Sequence, residues 1–241
     1  MKKIIAVILA LCCIFTVVSC DQGTMDEVTS AQLDAMLEMF DDSIPTKSET
    51  YTTETIGKNV VIKSRATLVS GHIGSLKASV YEGSYQSLSE VGNTLSMVKT
   101  ETESKWYVEG KGVSTDKGVT FNAEEGDFAP TEGFIKIKIS KNMVSEAEYD
   151  EQTSTLKLTI PKKHATEVVG AYLEKGQTID SDIIVTLTCA GGRITGLKLE
   201  YSIPTHTITV PESETEIQVP DTTVVVEAIY SYGLQSITLK N

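Results

Sequence analysis

From residue 60 to the C-terminus, apolar and polar residues mostly alternate along the chain. Between Leu197 and Ile203, for example, every second side chain is apolar and those between them are charged or hydroxylated. An antiparallel sheet with one dry face and one wet face produces this period of two. The pattern recurs over residues 60–68, 76–80, 95–97, 106–108, 135–139, 156–160, 183–187, 197–203, 224–230 and 237–239. The sequence therefore predicts a mainly antiparallel β structure.

Two segments have helical periodicity instead. Thr24-Met25-Asp26-Glu27 fits a capping box with Thr24 as N-cap, and apolar residues then recur every three or four positions, which predicts a helix over 25–41. The polar face of this helix is acidic, whereas helices that lie on membranes are usually basic, so packing on the sheet is favoured. A second helix is predicted over 162–174. Its apolar face consists of Ala165, Val168, Val169, Tyr172 and Leu173.

These elements predict a mainly β (α+β) fold. We expect residues 25–241 to form one domain, a curved antiparallel sheet or half-barrel with the two amphipathic helices packed on its apolar face. No linker-like composition divides the chain, and a split near Asp127–Glu132 is the alternative. Gly191-Gly192, between two predicted strands, indicates a tight hairpin, because the favoured turns need positive φ.

The first twenty residues have the pattern of a lipoprotein leader. Two lysines precede the uncharged stretch Ile4–Val18, which ends at Ser19-Cys20. This predicts a signal peptide over 1–19, cleavage between Ser19 and Cys20, palmitate-type acylation of Cys20, and a tether over 20–24. The apolar stretch is shorter than the about 20 residues that span a bilayer, although an uncleaved anchor is the alternative. Two or more acyl chains give stable anchoring, so we expect a membrane-bound protein on the extracytoplasmic side of a bacterial envelope, periplasmic or surface-exposed.

Net charge and cysteine content limit the classes of binding partner and the disulfides that are expected. A formal net charge of −12 argues against binding to nucleic acid and against electrostatic docking on anionic lipid. Cys12 and Cys13 lie in the leader and Cys20 is the acylation site, so Cys189 is left without a disulfide partner. Cys189 lies at an alternating apolar position and is expected to be buried. Trp106 is expected in the core rather than in a sugar platform, because alternation places its neighbour on the other face.

The sequence contains no recognisable catalytic or metal-binding motif. HExxH, CxxC, GxSxG, P-loop and GxGxxG patterns are all absent, and His72, His164 and His206 are isolated. His164 is expected to be exposed and His206 to lie in a turn. Glu124–Asp127 and Asp180–Asp182 lack the spacing of a calcium loop and are expected to be solvated turns. We therefore expect no enzyme activity, no metal and no cofactor; an enzyme built from scattered carboxylates is the remote alternative.

From Thr153 onward, the order of elements becomes specific. The order is a strand (154–160), a helix (162–173), a strand (182–189), the Gly-Gly hairpin and a strand (193–203) that contains Gly-Leu-x-Leu-x-Tyr, followed by segments 223–232 and 236–240. This order resembles the lipoprotein-carrier (LolA/LolB-like) half-barrel and related lipid-binding envelope lipoproteins. The resemblance implies a curved sheet that wraps helices around an apolar cavity for acyl chains. It is a pattern of elements, so no ligand-contact residue is transferred.

Two functions compete on this basis. The first is a non-catalytic lipoprotein that binds or carries a lipid or other apolar ligand. The second is a structural or protein-interaction lipoprotein of the cell envelope with no small-molecule ligand. For the first, the residues expected to line the ligand cavity are Val168, Val169, Tyr172 and Leu173.

Overall fold

One antiparallel sheet dominates the structure, which is a computed structural model that describes residues 26–58, 60–91, 94–122, 137–173, 177–210 and 215–239. Its strands are β1 (Asp26–Glu27), β2 (Lys47–Ile56), β3 (Val60–Ile73), β4 (Leu76–Val91), β5 (Thr94–Val108), β6 (Gly112–Ser114), β7 (Glu146–Asp150), β8 (Thr155–Ile160), β9 (Ile183–Ala190), β10 (Arg193–Ile203) and β13 (Thr222–Ser231). A separate hairpin consists of β11 (His206–Val210) and β12 (Thr215–Val219).

The eleven strands lie in the order β1-β7-β8-β9-β10-β13-β2-β3-β4-β5-β6. Every strand pair is antiparallel, and the very short strands β1 and β6 form the two edges of an open sheet. The sequence-based prediction of a mainly β, antiparallel fold is therefore confirmed. Gly191 and Gly192 form the predicted β9–β10 hairpin with φ of 58° and 72°.

Two helical segments pack on one face of the sheet, which we call the inner face. They are α1 (Ser30–Asp42) and an irregular segment made of the 3₁₀ turn Lys162–His164, α2 (Ala165–Val169) and the 3₁₀ turn Gly170–Tyr172. Together with β8, β9, β10 and β13 they enclose the main core. The residues of this core with no exposed surface are Leu156, Leu158, Ile160, Val169, Ile183, Val185, Leu187 and Ile194.

The inner face changes character from one end of the sheet to the other. A single cross-strand row from β8 to β5 contains Leu156, Leu187, Leu197, Ala228, Thr50, Ala66, Gly83 and Glu103. The row is apolar as far as β13, then small and polar. The helices cover the apolar part, as the hydrophobic effect requires.

A second apolar cluster lies on the opposite, outer face at the β3–β6 end. Ala78, Trp106 and Val108 are buried there beneath Ile237 of the C-terminal segment, with Phe121 and Leu239 packed against them. The C-terminal segment is held to the end of β3, since the Ile237 N–H donates to the carbonyl of His72 at 3.2 Å. The expectation that Trp106 lies in a core is confirmed.

The boundaries of both helices differ from those predicted. α1 begins at Ser30 with Thr29 as N-cap and a capping box to Gln32, because Asp26 and Glu27 pair with β7 instead of starting the helix. The predicted capping box at Thr24–Glu27 is therefore wrong, and Thr24 itself lies outside the described residues. The predicted helix 162–174 is broken into three short pieces, and its chain is extended again at Leu173.

Some predicted strands and turns are also absent. Ile137 and Ile139 are buried but lie in irregular chain, because they pack on the main core without joining a ladder. Residues 237–239 are not a strand, and only Ser236 forms a bridge, to His72. His206 begins β11 rather than lying in a turn. The leader, Ser19, Cys20 and the alternative boundary at 127–132 lie outside the described residues.

Candidate functional site

The segment over residues 162–173 carries the four residues that are predicted to line an apolar cavity. Ala165, Val168 and Val169 are turned to the sheet and are 1%, 4% and 0% exposed. Leu173 is partly buried against the same core, whereas Tyr172 is 47% exposed. The segment is tied at its start by the Lys162 N–H, which donates to Asp182 Oδ1 at 2.9 Å.

Because Val169 has no exposed surface, no space the size of a water molecule adjoins it in this structure. An acyl chain would reach Val169 only if the segment moved away from the sheet. α2 has five residues, far below the about 12 that give an isolated helix marginal stability, so its position depends on apolar contacts. That Val168, Val169, Tyr172 and Leu173 line a ligand cavity therefore stays a prediction.

Tyr172 stands at the rim of the main core, near two buried tyrosines. Burial raises the pKa of Tyr201 to about 12, with Glu54 and Tyr172 contributing in the same direction. Burial also raises the pKa of Tyr230 well above its ordinary value, again with a contribution from Tyr172. Both buried phenols therefore remain neutral at physiological pH.

Beyond this rim, the inner face of β2, β3 and β4 carries a shallow depression of about 80 Å³. We call it the tyrosine groove. The side chains that line it from the inner face are Thr50, Thr52, Ser64, Ala66, Tyr81 and Tyr85. Arg65 and Ser84 border it from the strand positions between, whose side chains belong to the outer face. The sides of the groove are therefore aromatic and its floor consists of small and hydroxylated residues.

The two tyrosines of the groove are held in different ways. Tyr81 extends over Gly83, and a Cβ at that glycine would lie 2.7 Å from the Tyr81 hydroxyl. Tyr85 is 41% exposed and its hydroxyl donates to Glu101 Oε2 at 2.8 Å. Burial raises the pKa of Tyr81, with Glu103 contributing in the same direction. The missed signal in the sequence is Tyr81-Glu82-Gly83-Ser84-Tyr85, in which alternation puts both rings and the glycine on one face.

The outer face of the same strands carries a charge cluster. Glu49 accepts from Lys47 Nζ at 2.5 Å, from the Tyr51 hydroxyl at 3.0 Å and from Arg65 Nη2 at 3.3 Å. The hydrogen bond from Lys47, followed by that from Tyr51, lowers the pKa of Glu49. The guanidinium of Arg65 also lies over the Tyr51 ring, 5.3 Å from its centre. Arg65 is thus engaged on the outer face rather than in the groove.

The isolated histidines have local partners. His164 Nδ1 lies 3.0 Å from Glu167 Oε1, with a side chain 20% exposed, so it is less exposed than expected. His206 Nδ1 lies 3.0 Å from the carbonyl of Pro204. In the described part of the chain, no group of three His, Cys, Asp or Glu side chains is placed to hold a metal ion. Nor does any described helix have the length and apolarity needed to cross a membrane.

The remaining residues named in the sequence analysis are two acidic clusters and Cys189. In the turn Asp180–Asp182, Asp182 accepts from the Lys162 N–H, and Ser181 Oγ accepts from the Ser202 N–H at 2.8 Å. Cys189 is partly rather than fully buried, and this burial raises the pKa of its thiol to about 11. Glu124–Asp127 lies outside the described residues.

Comparison with known proteins gives little beyond this geometry. No protein-family model and no curated protein matches the chain. Among solved structures, the crystal structure of a LolA superfamily protein from Nitrosomonas europaea aligns with 86% of this chain and 96% of its own, at 9% identity and a TM-score of 0.26. A likeness this weak carries no argument about the activity of the present chain.

Proposed function

We propose that this chain is a non-catalytic, extracytoplasmic lipoprotein, anchored to an envelope membrane through acyl chains on Cys20, that binds an acyl chain or similar apolar ligand beneath the segment 162–173. The observation that carries the proposal is the cover itself. The apolar inner face of the sheet is covered by α1 and by one short, irregular helical segment, and that segment contributes the buried side chains Ala165, Val168 and Val169.

A cover of this kind can move at modest cost. It contains a single short α-helix between two 3₁₀ turns. Few backbone hydrogen bonds within the segment therefore break if it unfolds as it moves. Moving it exposes aliphatic side chains of the main core, on which a hydrocarbon chain replaces the lost contacts. Each methylene that leaves water contributes about 0.8 kcal/mol, so a long acyl chain offsets the exposure of three small side chains.

Ligand binding is tested on residues 21–241 by native mass spectrometry with hexadecanoic acid. We expect a one-to-one complex, and Val169→Asp should abolish it because the charged side chain cannot pack on the sheet. Thr166→Asp is the matched control, since Thr166 is exposed on the same helix and its substitution leaves the buried face unchanged. Circular dichroism confirms that each variant folds. A folded wild-type chain that takes up no fatty acid would refute the proposal that this protein binds an acyl chain.

Lipid anchoring is tested separately on the full chain expressed in a bacterium. We expect labelled palmitate to enter the protein and the protein to sediment with membranes. Cys20→Ser should remove the label, because the thioether needs the cysteine sulfur, whereas Cys189→Ser should leave it. Labelling that survives Cys20→Ser would contradict the assignment of Cys20.

A structural or protein-interaction role without a ligand is the second candidate. The observation that favours it is the complete burial of the main core, in which Leu156, Leu187 and Ile194 have no exposed surface. If the fatty acid does not bind, crosslinking of the anchored protein in intact cells should yield a stoichiometric envelope partner. The two roles therefore give opposite results in the same pair of experiments.

A further inference from the structure

We infer a second binding site, for a neutral oligosaccharide, in the tyrosine groove on the inner face of β2, β3 and β4. The site is separate from the cover over residues 162–173 and does not depend on the function proposed above. It rests on the shape of the groove, on its two tyrosines and on the chemistry of its floor.

The shape follows from the register of the strands. Thr50, Ala66 and Gly83 are direct cross-strand neighbours, so three residues with short side chains lie side by side across the sheet. Tyr81 and Tyr85 are each two residues from Gly83 along β4 and therefore flank this row. With about 3.3 Å per residue, their Cα atoms are about 13 Å apart. Because the Tyr81 hydroxyl lies over Gly83, the open part of the groove lies over Thr50, Thr52, Ser64 and Ala66 of β2 and β3, with the two tyrosines along its β4 side.

The rings provide the apolar contact that a pyranose needs. The ring of Tyr85 is substantially exposed and is oriented by its hydrogen bond to Glu101, so it is held ready for stacking without loss of rotamer freedom on binding. The hydroxyl end of Tyr81 fills the space above Gly83 and bounds the other side of the groove. Tyrosine combines an apolar ring with a polar tip, which suits the alternating C–H and O–H groups of a sugar.

The floor and the charges select against other ligands. Thr50, Thr52 and Ser64 bring hydroxyl groups that both donate and accept hydrogen bonds, as sugar hydroxyls do and as an acyl chain cannot. Glu101 and Glu103 lie on the same face, and the Lys105 ammonium there is 2.7 Å from Glu103. These carboxylates disfavour anionic ligands, so the geometry indicates a neutral glycan.

The test uses the full chain, purified in a detergent without a sugar headgroup, and titrated with chitotriose and with maltotriose at millimolar concentrations. Binding is measured by isothermal calorimetry and by saturation-transfer NMR. We expect at least one of the two oligosaccharides to bind. Tyr85→Ala should weaken that binding about tenfold, the loss of one stacked ring, whereas Tyr85→Phe should retain most of it.

Two further variants distinguish a site from a general effect on the sheet. Tyr51→Ala is the control, because Tyr51 lies on the outer face of β2, and binding should be unchanged. Ala66→Leu fills the floor of the groove without removing a ring, and it should abolish binding while the circular dichroism spectrum stays that of the wild type. The inference is overturned if neither oligosaccharide binds, or if Tyr51→Ala and Tyr85→Ala weaken binding equally.

Discussion

The C-terminal segment crosses β3 at Gly71 so closely that a single methyl group there should displace it. A Cβ at Gly71 would lie 2.3 Å from the carbonyl oxygen of Gln235, where real contacts essentially never fall below 3.0 Å. Gly71 has an ordinary φ, so Gly71→Ala adds this clash without backbone strain. The backbone at Gln235 must retreat, and the two hydrogen bonds that join residues 235 and 237 to His72 weaken with it.

The expected cost follows from what that segment buries. Ile237 is 8% exposed against Ala78, Trp106 and Val108. Partial loss of one buried isoleucine, worth about 1.5–3 kcal/mol in full, adds to about 0.5–1.5 kcal/mol for each weakened hydrogen bond. We therefore expect Gly71→Ala to lower the free energy of unfolding by about 3 kcal/mol, which is large for the addition of one methyl group.

Urea unfolding followed by tryptophan fluorescence measures this directly, because Trp106 is the single tryptophan of the chain and lies under the segment. Emission of folded Gly71→Ala should shift to the red. Ile237→Ala provides the comparison, with an expected loss of about 2–5 kcal/mol. If the methyl group acts by displacing the segment, the double variant should lose much less than the sum of the two single losses. Additive losses, or an unfolding free energy within about 0.5 kcal/mol of wild type, would refute the reasoning.

Three further predictions concern local contacts. Thr29→Ala should cost about 1 kcal/mol in urea unfolding, because the capping box with Gln32 is lost; an unchanged midpoint would contradict it. The hydrogen bond from Ser114 Oγ, with backbone N–H groups of the following turn, lowers the pKa of Asp116 to about 2. Because the pKa of Asp116 is lower in the folded chain than in the unfolded chain, the ionised carboxylate stabilises the fold at any pH above the ordinary pKa of aspartate. This contribution to the free energy of unfolding is lost as the pH falls toward 2, so the free energy of unfolding of Asp116→Asn should fall less steeply with acid than that of the wild type. The raised pKa of Cys189 predicts slow reaction with Ellman's reagent at mildly alkaline pH in the folded chain and fast reaction in urea; equal rates would show an accessible thiol.

Alternation of side chains predicted β8, β9, β10 and β13 and their dry face, but it did not predict β2 and gave only parts of β4 and β5. From Ile183 to Leu187 in β9 and from Leu197 to Ile203 in β10, every second residue is buried, as the sequence pattern requires. The same pattern failed at Ile137 and Ile139, because a short extended segment can bury alternate side chains without a neighbouring strand. The start of α1 was also predicted wrongly. Thr24 and Thr29 are each followed three residues later by a residue that can close a capping box, and only the pairing of Asp26 with β7 excludes Thr24 as the N-cap.

The tyrosine groove could not be predicted from the sequence, since it depends on register. Tyr81, Gly83 and Tyr85 are close in the chain, and their common face follows from alternation alone. That Ala66 and Thr50 extend the same row depends on how β3 and β4 align and on how β2 pairs with β3. A shift of one residue in either pairing would place other side chains opposite Gly83, and the groove would not form.

The location of the groove follows from the way the sheet is covered. Helical segments bury the inner face at the β8–β13 end, and the C-terminal segment buries the outer face at the β3–β6 end. The strands β2 and β3 lie between these two covered areas. On them neither face of the sheet is fully buried at Thr50, Tyr51, Arg65 or Ala66. A ligand in this open stretch needs no rearrangement of either core, whereas an acyl chain beneath residues 162–173 must first displace its cover. The two proposed sites thus differ in their physical requirements, and the loss of one should leave the other intact.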